Sequence, residues 1–153
     1  MSYKDSYGLV VTTGRDEAID KNGLVSVTHF GGVYQLEMTI DYDAYGVPSV
    51  DEISIRNAKI PAGSAILSAD LVVKTAAKTP ATTVNIGTVK LDGTVVDADG
   101  LVAAQALSQG ASVGAGALIN TVVAEDQYIS VTPSAATDAA LGGLKGKLIV
   151  TYC

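Results

Sequence analysis

Hydrophobic and polar residues alternate along several stretches of this chain, and the alternation predicts β-strands. The longest such stretch covers residues 34–42. Its apolar and aromatic positions alternate one by one with polar positions: Tyr34, Leu36, Met38, Ile40 and Tyr42 against Gln35, Glu37, Thr39 and Asp41. Because the side chains of a strand point alternately to its two faces, this pattern predicts a strand with one buried face and one solvated face.

The same reasoning predicts further strands at residues 66–73, 83–91, 128–132 and 144–152, with shorter ones at 53–55, 94–96 and 121–124. In the last strand we expect Leu148, Val150 and Tyr152 to point inward, and we expect the strand to lie inside a sheet. In the strand at 66–73 the expected buried positions are Leu67, Ala69, Leu71 and Val73.

Two breaks in the alternation also carry predictions. The apolar phase changes near Gly87, which indicates a β-bulge. Residues 101–108 (LVAAQALS) are the best helix candidate, with Asp97 or Asp99 near the start and Gly110 beyond the end. Such a helix would have barely two turns and would depend on tertiary packing.

The N-terminal residues 1–32 are polar, rich in glycine and poorly periodic. We expect an arm or edge segment here, with edge strands at 9–11 and 24–27 and a turn at Asn22-Gly23. Two hypotheses stay open for it: a flexible terminus, or an arm that lies on another subunit with Tyr3 and Tyr7 as anchors.

The predicted elements indicate an all-β fold. Many short strands with at most one short helix, and no alternation of strands with helices, predict an antiparallel β-sandwich over residues 33–153, preceded by the extended arm. A jelly roll is preferred to an immunoglobulin-type sandwich, because the Cys and Trp marks of the latter are absent.

Composition narrows the classes of partner. The formal net charge of −6 and the scattered Lys and Arg residues disfavour nucleic acid, since phosphate binding needs concentrated positive charge. No apolar run approaches the roughly 18 residues of a membrane-spanning helix. The only cysteine is Cys153, so no internal disulfide can form. The N-terminus shows no apolar segment of a secretory signal, which predicts synthesis in a cytoplasm.

Three aspartates, Asp92, Asp97 and Asp99, are the strongest candidates for a cation site. Oxygen-rich loops of this kind bind Ca²⁺ in EF-hands, which need a third ligand two residues further on and a glutamate at the twelfth position. Those positions hold Leu101 and Ser108, so the EF-hand motif fails. Turn and helix-cap chemistry accounts for all three carboxylates, with a cation site of another type left open.

Other candidates for chemistry are weaker. Carboxylates at Asp41, Asp43, Asp51 and Glu52 have the residue type used in glycoside hydrolysis, but this density in a turn is typical of a solvated rim. His29 is the sole histidine, and Gly114-Ala115-Gly116 lacks the strand and helix of a nucleotide-binding loop. We therefore predict a protein that is not an enzyme, with no catalytic, cofactor-binding or metal-binding residue.

Four segments resemble small virion proteins of tailed bacteriophages. They read KIPAGSAILSADLVV, TVNIGTVKLDGTVVDADGLVAA, GAGALINTVVAEDQYISVTPS and KGKLIVTYC. In that loose group an IPAGA.I..A.L.V strand precedes an IG....DGT..DADGL segment, a G.GALI bridge and a YI.VTPSG strand. The likeness covers roughly residues 34–153 and is a pattern of turns and strands, without an active-site signature.

The resemblance implies a cement or decoration protein on the outside of a phage head, or a related head-fibre base. Such proteins are commonly β-sandwiches or jelly rolls that form trimers. The implied partners are the major capsid protein and further copies of the chain, with a trimer favoured. The implied location is the capsid surface of the virion.

An alternative function is that of a phage tail or head-fibre component, or of a module that binds a glycan or receptor. Exposed tyrosines would supply stacking faces for a sugar, and the candidates are Tyr34, Tyr42, Tyr45 and Tyr128. The alternation weakens this alternative, because it places Tyr34 and Tyr42 on the inward face.

Overall fold

A computed structural model describes residues 25–47 and 58–153 in full, together with the backbone of Ser2–Lys4 and Val10–Thr13. In this part of the chain there are eleven strands and two short helices. The elements are β1 (Ser2–Lys4), β2 (Val10–Thr13), β3 (Val25–Phe30), β4 (Val33–Asp41), α1 (Tyr42–Tyr45), β5 (Lys59–Ile60), β6 (Ile66–Thr75), β7 (Thr83–Val89), β8 (Val95–Ala106), β9 (Gly110–Val113), β10 (Gln127–Pro133), α2 (Asp138–Leu141) and β11 (Lys145–Tyr152).

The strands form two antiparallel sheets, which confirms the all-β prediction. The larger sheet has the order β1-β2-β3-β4-β11-β6-β9, and the smaller has the order β5-β10-β7-β8. Both sheets contribute side chains to one hydrophobic cluster, for example Leu36, Leu71 and Leu148 from the larger and Ile86 and Ile129 from the smaller. The two sheets therefore share a single core.

The eight strands from β4 to β11 pair in a nested way. The outermost two of them in the chain, β4 and β11, pair with each other. Moving inward along the chain, β5 pairs with β10, β6 with β9, and β7 with β8. The pairs belong alternately to the larger and the smaller sheet, and the innermost pair, β7 and β8, is a hairpin within the smaller one.

The strongest sequence predictions are confirmed in β4 and β11. Leu36, Met38, Leu148 and Val150 are fully buried, and Tyr152 is 4% exposed. β11 lies between β4 and β6, so the closing strand is inside a sheet as expected. Alternation was decisive here because one face of each strand meets the core and the other meets solvent.

The predicted helix at residues 101–108 is wrong, and with it the helix-cap role of Asp97 and Asp99. Most of this segment belongs to β8, where Leu101 and Val102 are buried. Ala104 has a φ of +46°, and its N–H donates to Asn85 Oδ1 at 2.7 Å. Pairing with β7 satisfies the backbone and buries the apolar residues, which a helix of two turns could not do alone.

The predicted bulge near Gly87 is confirmed, whereas the predicted burial of Leu67 is wrong. The β7–β8 register shifts on both sides of Gly87. In β6, Leu67 is 41% exposed and Ile66 is fully buried. Thr151 lies opposite Ser68 and Tyr152 opposite Ile66, so Leu67 is an unpaired extra residue. That bulge changes which residues face the core.

The segment before β4 continues the larger sheet. β3 pairs with β4 through a turn at Gly31 and Gly32, which have φ values of +55° and +93°, and Val25 is in the core. β1 and β2 extend the sheet beyond β3. The predicted division at residues 32 and 33 falls just after this turn. The predicted turn at Asn22-Gly23 and the strand at 53–55 lie outside the described residues.

Candidate functional site

The strand registers show that the turns and loops between strands lie at the two opposite ends of the paired sheets. One, here called the hairpin end, holds the turns at residues 31–32, 61–65 and 90–94, the connection 114–126 and Cys153. The other, here called the helix end, holds α1, the connections 76–82 and 107–109, and residues 134–144 with α2.

The helix end is tied together by hydrogen bonds between its two helices. Tyr42 donates its hydroxyl to Asp138 Oδ1 at 2.9 Å, and the N–H of Gly143 donates to Asp43 Oδ1 at 3.1 Å. The bond to Asp138 raises the pKa of Tyr42, because losing the phenolic proton would leave two negative groups in contact. Asp41 caps α1 by accepting from the N–H of Ala44.

An apolar cavity of about 30 Å³ lies beneath these helices. Its lining includes Val73, Val84, Leu107, Leu141 and Leu144. Water needs two or more polar partners to occupy such a space, and this lining offers almost none. We interpret the cavity as a packing gap at the closed end of the core rather than as a ligand pocket.

The hairpin end holds most of the exposed large hydrophobic side chains in the described residues. Of eight such side chains, six lie at or beside the turns of this end: Phe30, Leu67, Leu91, Val95, Val96 and Val122. Tyr45 lies at the helix end, and Val113 lies on the edge strand β9.

The turn between β7 and β8 begins a projecting segment, residues 91–99, here called the β7–β8 arm. Every residue of it is exposed except Asp97, which is half-buried. Two of the three candidate aspartates act locally: Asp92 Oδ1 accepts from the N–H of Thr94 at 2.9 Å, and Asp97 Oδ1 accepts from the N–H of Asp99 at 3.3 Å. The first bond lowers the pKa of Asp92, because it stabilises the carboxylate.

The three aspartates therefore occupy one arm without converging on a point. In the described residues, no group of three or more His, Cys, Asp or Glu side chains is arranged to hold a metal ion. Lys90, the lysine next to the arm in the chain, pairs with Glu125 at 3.1 Å, and Lys59 on β5 pairs with Asp126 at 3.9 Å. The carboxylates of the arm have no basic side chain within ion-pair distance in the described part of the chain.

His29 forms one end of an aromatic stack across three strands. Its ring lies on Tyr34, with ring centres 4.3 Å apart, and Tyr34 lies on Tyr152 at 5.3 Å. His29 Nε2 also accepts from the N–H of Gly32, which fixes the β3–β4 turn. Burial, and to a smaller extent Tyr34, raises the pKa of Tyr152 to about 12. The histidine thus has a packing role in this stack.

The glycines at Gly114 and Gly116 have a packing role as well. A Cβ on Gly114 would meet the carbonyls of Leu101 and Ala69, and one on Gly116 would meet the backbone of Gly100. Their N–H groups donate to backbone carbonyls, that of Gly114 to Ala69 at 2.6 Å and that of Gly116 to Leu101 at 3.2 Å. These donors are already used and do not form a phosphate cradle.

The remaining candidates are dispersed. Asp51 and Glu52 lie outside the described residues. Of the four tyrosines considered for sugar stacking, Tyr128 is 9% exposed, Tyr34 and Tyr42 are half-buried, and Tyr45 is 37% exposed. Lys147 pairs with Glu37 across β11 and β4. These positions do not build one stacking platform.

The β7–β8 arm is the feature that sequence reasoning missed as a surface. The sequence pattern predicts a turn, a short strand and the approach to a helix here, although Val95 and Val96 directly precede Asp97 and Asp99 in the sequence. The absence of strict alternation from Leu91 to Asp99 was the available signal, since a strand with a buried face would show it.

Comparison with known proteins identifies no relative: the chain matches no protein-family model, no curated protein and no solved structure. None of the described helices has the length and apolar character needed to cross a bilayer.

Proposed function

We propose that this chain is a non-enzymatic virion structural protein, a cement or decoration protein that binds the outside of a phage head and stabilises the shell. The sequence resemblance to small virion proteins of tailed phages suggests the class. The nested pairing of eight strands is the structural observation that supports it most.

Nested pairing of this kind is what a jelly roll requires. A long hairpin of eight strands pairs its first strand with its last, its second with its seventh, its third with its sixth and its fourth with its fifth, and then rolls into two sheets. β4 to β11 pair in that sequence. We therefore propose a jelly-roll sandwich, an architecture that recurs in viral capsid domains, with β1 to β3 as an N-terminal extension of one sheet.

A protein of this class would act through binding alone. A protein that binds only the assembled shell stabilises it by mass action, by about 2.7 kcal/mol per site when its free concentration is 100 times Kd. The exposed apolar residues and uncompensated carboxylates of the hairpin end suit such contacts. We propose the major capsid protein as the partner.

The test is to purify particles of the virus that encodes the chain and to heat them with and without it. We expect a fixed number of copies per particle and a higher temperature of genome release when they are bound. Bound copies confined to the tail in cryo-electron microscopy would favour the tail or fibre alternative. Particles without bound copies and with unchanged heat resistance would refute the proposal.

We further propose that the chain forms a homotrimer. The larger sheet ends at β9, which pairs on one side only among the described strands and has exposed Val113. An uncovered sheet edge of this kind favours contact with another subunit. Sedimentation equilibrium of the purified chain should give three times the 15.6 kDa chain mass, and a monomeric mass at micromolar concentration would contradict this part.

A further inference from the structure

The β7–β8 arm combines apolar exposure with three carboxylates that form no ion pair with a described basic side chain, although the charge of Lys90 contributes to the lowered pKa of Asp92. Leu91 is 55% exposed, Val95 59% and Val96 36%, although all three are large hydrophobic residues. They lie within six consecutive positions, 91–96, at the turn between β7 and β8. Monomeric proteins expose single hydrophobic residues routinely, whereas a local group of them marks an interaction site.

The backbone of the arm is poorly suited to accept an added strand. Val95 lies opposite Val89 and Asp97 opposite Thr88, so Val96 is an extra residue without a partner. A second register shift follows between Thr88 and Ile86. Bulges twist an edge strand away from regular pairing, and they are a common protection against edge-to-edge association. Side chains, rather than the main chain, must therefore carry any contact here.

The charge on the arm indicates what kind of surface it complements. Asp92, Asp97 and Asp99 are spaced among the apolar residues, and Asp99 makes no side-chain hydrogen bond or ion pair to another described residue. Lys90, which directly precedes the arm, is paired with Glu125. A partner that brought lysine or arginine together with aliphatic side chains would match both components.

We infer that the β7–β8 arm is the docking surface for a segment of the shell subunit in which lysine or arginine residues are interspersed with aliphatic ones. The inference rests on the proposed function, because it assigns that function's partner to one surface. Aliphatic contacts with Leu91, Val95 and Val96 would supply most of the affinity. The carboxylates would supply orientation and a faster, salt-sensitive association.

The first experiment uses a short peptide of alternating lysine and valine as the probe, and a peptide of alternating glutamate and valine as its control. Amide chemical shifts of the isotope-labelled full chain would be followed as each peptide is added. We expect saturable shifts confined to residues 91–99 and their neighbours on β7, with the lysine peptide only. Shifts elsewhere, equal response to both peptides, or no saturable response would overturn the inference.

Variants then separate the two components. Val95→Ser with Val96→Ser should weaken binding of the lysine peptide by about tenfold, because it removes the main apolar contact. Asp99→Asn should weaken it by about threefold and reduce its salt dependence. The controls are Tyr45→Ser and Asp70→Asn, an exposed aromatic side chain at the helix end and a carboxylate of β6, both outside the arm, which should leave affinity unchanged.

Binding to purified particles separates failure of this inference from failure of the proposed function. If the unaltered chain binds particles and the arm variants bind equally well, the docking surface is elsewhere and the proposed function stands. If the unaltered chain does not bind particles at all, the proposed function fails regardless of the peptide result. We expect unaltered binding for both controls and a loss of about tenfold for the double valine variant.

Discussion

The helix end and the hairpin end of this molecule use similar residues in opposite ways. At the helix end Leu141 and Leu144 are buried under α2, and hydrogen bonds tie α1 to the segment around α2. At the hairpin end Leu91 and Val95 are more than half exposed. The helix end therefore closes the core, whereas the hairpin end exposes apolar side chains at the surface.

The balance of lysines and carboxylates also differs between the two ends. When the ends of the flanking strands are included, the described helix end has as many lysines as carboxylates: Lys74, Lys78 and Lys145 with Asp41, Asp43 and Asp138. At the hairpin end Lys59 and Lys90 face an excess of carboxylates: Asp92, Asp97, Asp99, Glu125 and Asp126. The comparison teaches that burial and neutrality go together at one end, while exposure and uncompensated charge go together at the other. That asymmetry is typical of a protein with one binding end.

The sharpest test of the comparison is the same substitution at both ends. Leu141→Ala should lower the free energy of unfolding by about 2–5 kcal/mol, because it removes a buried side chain beside an existing cavity. Leu91→Ala should change it by less than about 0.5 kcal/mol. Urea unfolding of both variants measures the difference. Equal losses would show that Leu91 is packed, and the contrast between the ends would then be wrong.

A second test concerns how the β7–β8 arm is held. Gly87→Ala should cost about 1–3 kcal/mol, because the added Cβ would meet the backbone of Asp97 and Ala98, which cannot move without shifting β8. The matched comparison is Gly100→Ala, which should cost less, because its Cβ would meet the side chains of Leu118 and Asp97 rather than backbone. A loss for Gly100→Ala as large as that for Gly87→Ala would contradict the proposed backbone contact.

The third test uses alkaline pH. Tyr152 has a pKa of about 12 in the folded chain against an ordinary value of 10.0. The unfolded chain therefore releases this proton first, so the stabilisation is complete below pH 10 and is lost as the pH rises towards 12. The loss should not exceed about 1.4 kcal/mol per pH unit.

Urea unfolding across this pH range should show a steeper decline for the unaltered chain than for Tyr152→Phe. Tyr45→Phe is the control from the helix end. Tyr42→Phe should itself flatten the decline, because the hydrogen bond to Asp138 raises the pKa of Tyr42 and gives a loss of the same sign. Parallel stability curves for the unaltered chain and Tyr152→Phe would refute the assignment.

The smallest expected effect is that of the hydrogen bond between the helices. Tyr42→Phe removes the donor to Asp138 and should lower Tm by about 1–3 °C, because the bond is solvent-accessible. Tyr45→Phe is the control, since Tyr45 makes no side-chain hydrogen bond to another described residue. Calorimetry distinguishes the two variants. An unchanged Tm for Tyr42→Phe would mean that apolar packing alone closes the helix end.

Much of the fold could be predicted because its central strands meet the core on one face only. Alternation identifies the buried face of these strands, which carries Leu36 and Met38 in β4 and Leu148 and Val150 in β11. Prediction failed at Leu67, because a bulge changed which side chains of β6 face the core. It also failed in residues 101–108, where alanine and glutamine did not distinguish a helix from a strand. The candidate surface was missed for the same reason, since β8 carries several register shifts.

The sequence by itself determined that the chain is all-β, that β4 and β11 each have one buried face, and that β11 lies inside a sheet. Those properties follow from local periodicity and turn chemistry, which neighbouring residues encode. Only the tertiary structure decided that β7 converts residues 101–106 into a strand, that Leu91, Val95 and Val96 remain uncovered, and that Lys90 beside the arm is paired with Glu125. These outcomes depend on residues distant in the chain, so local patterns carry no information about them.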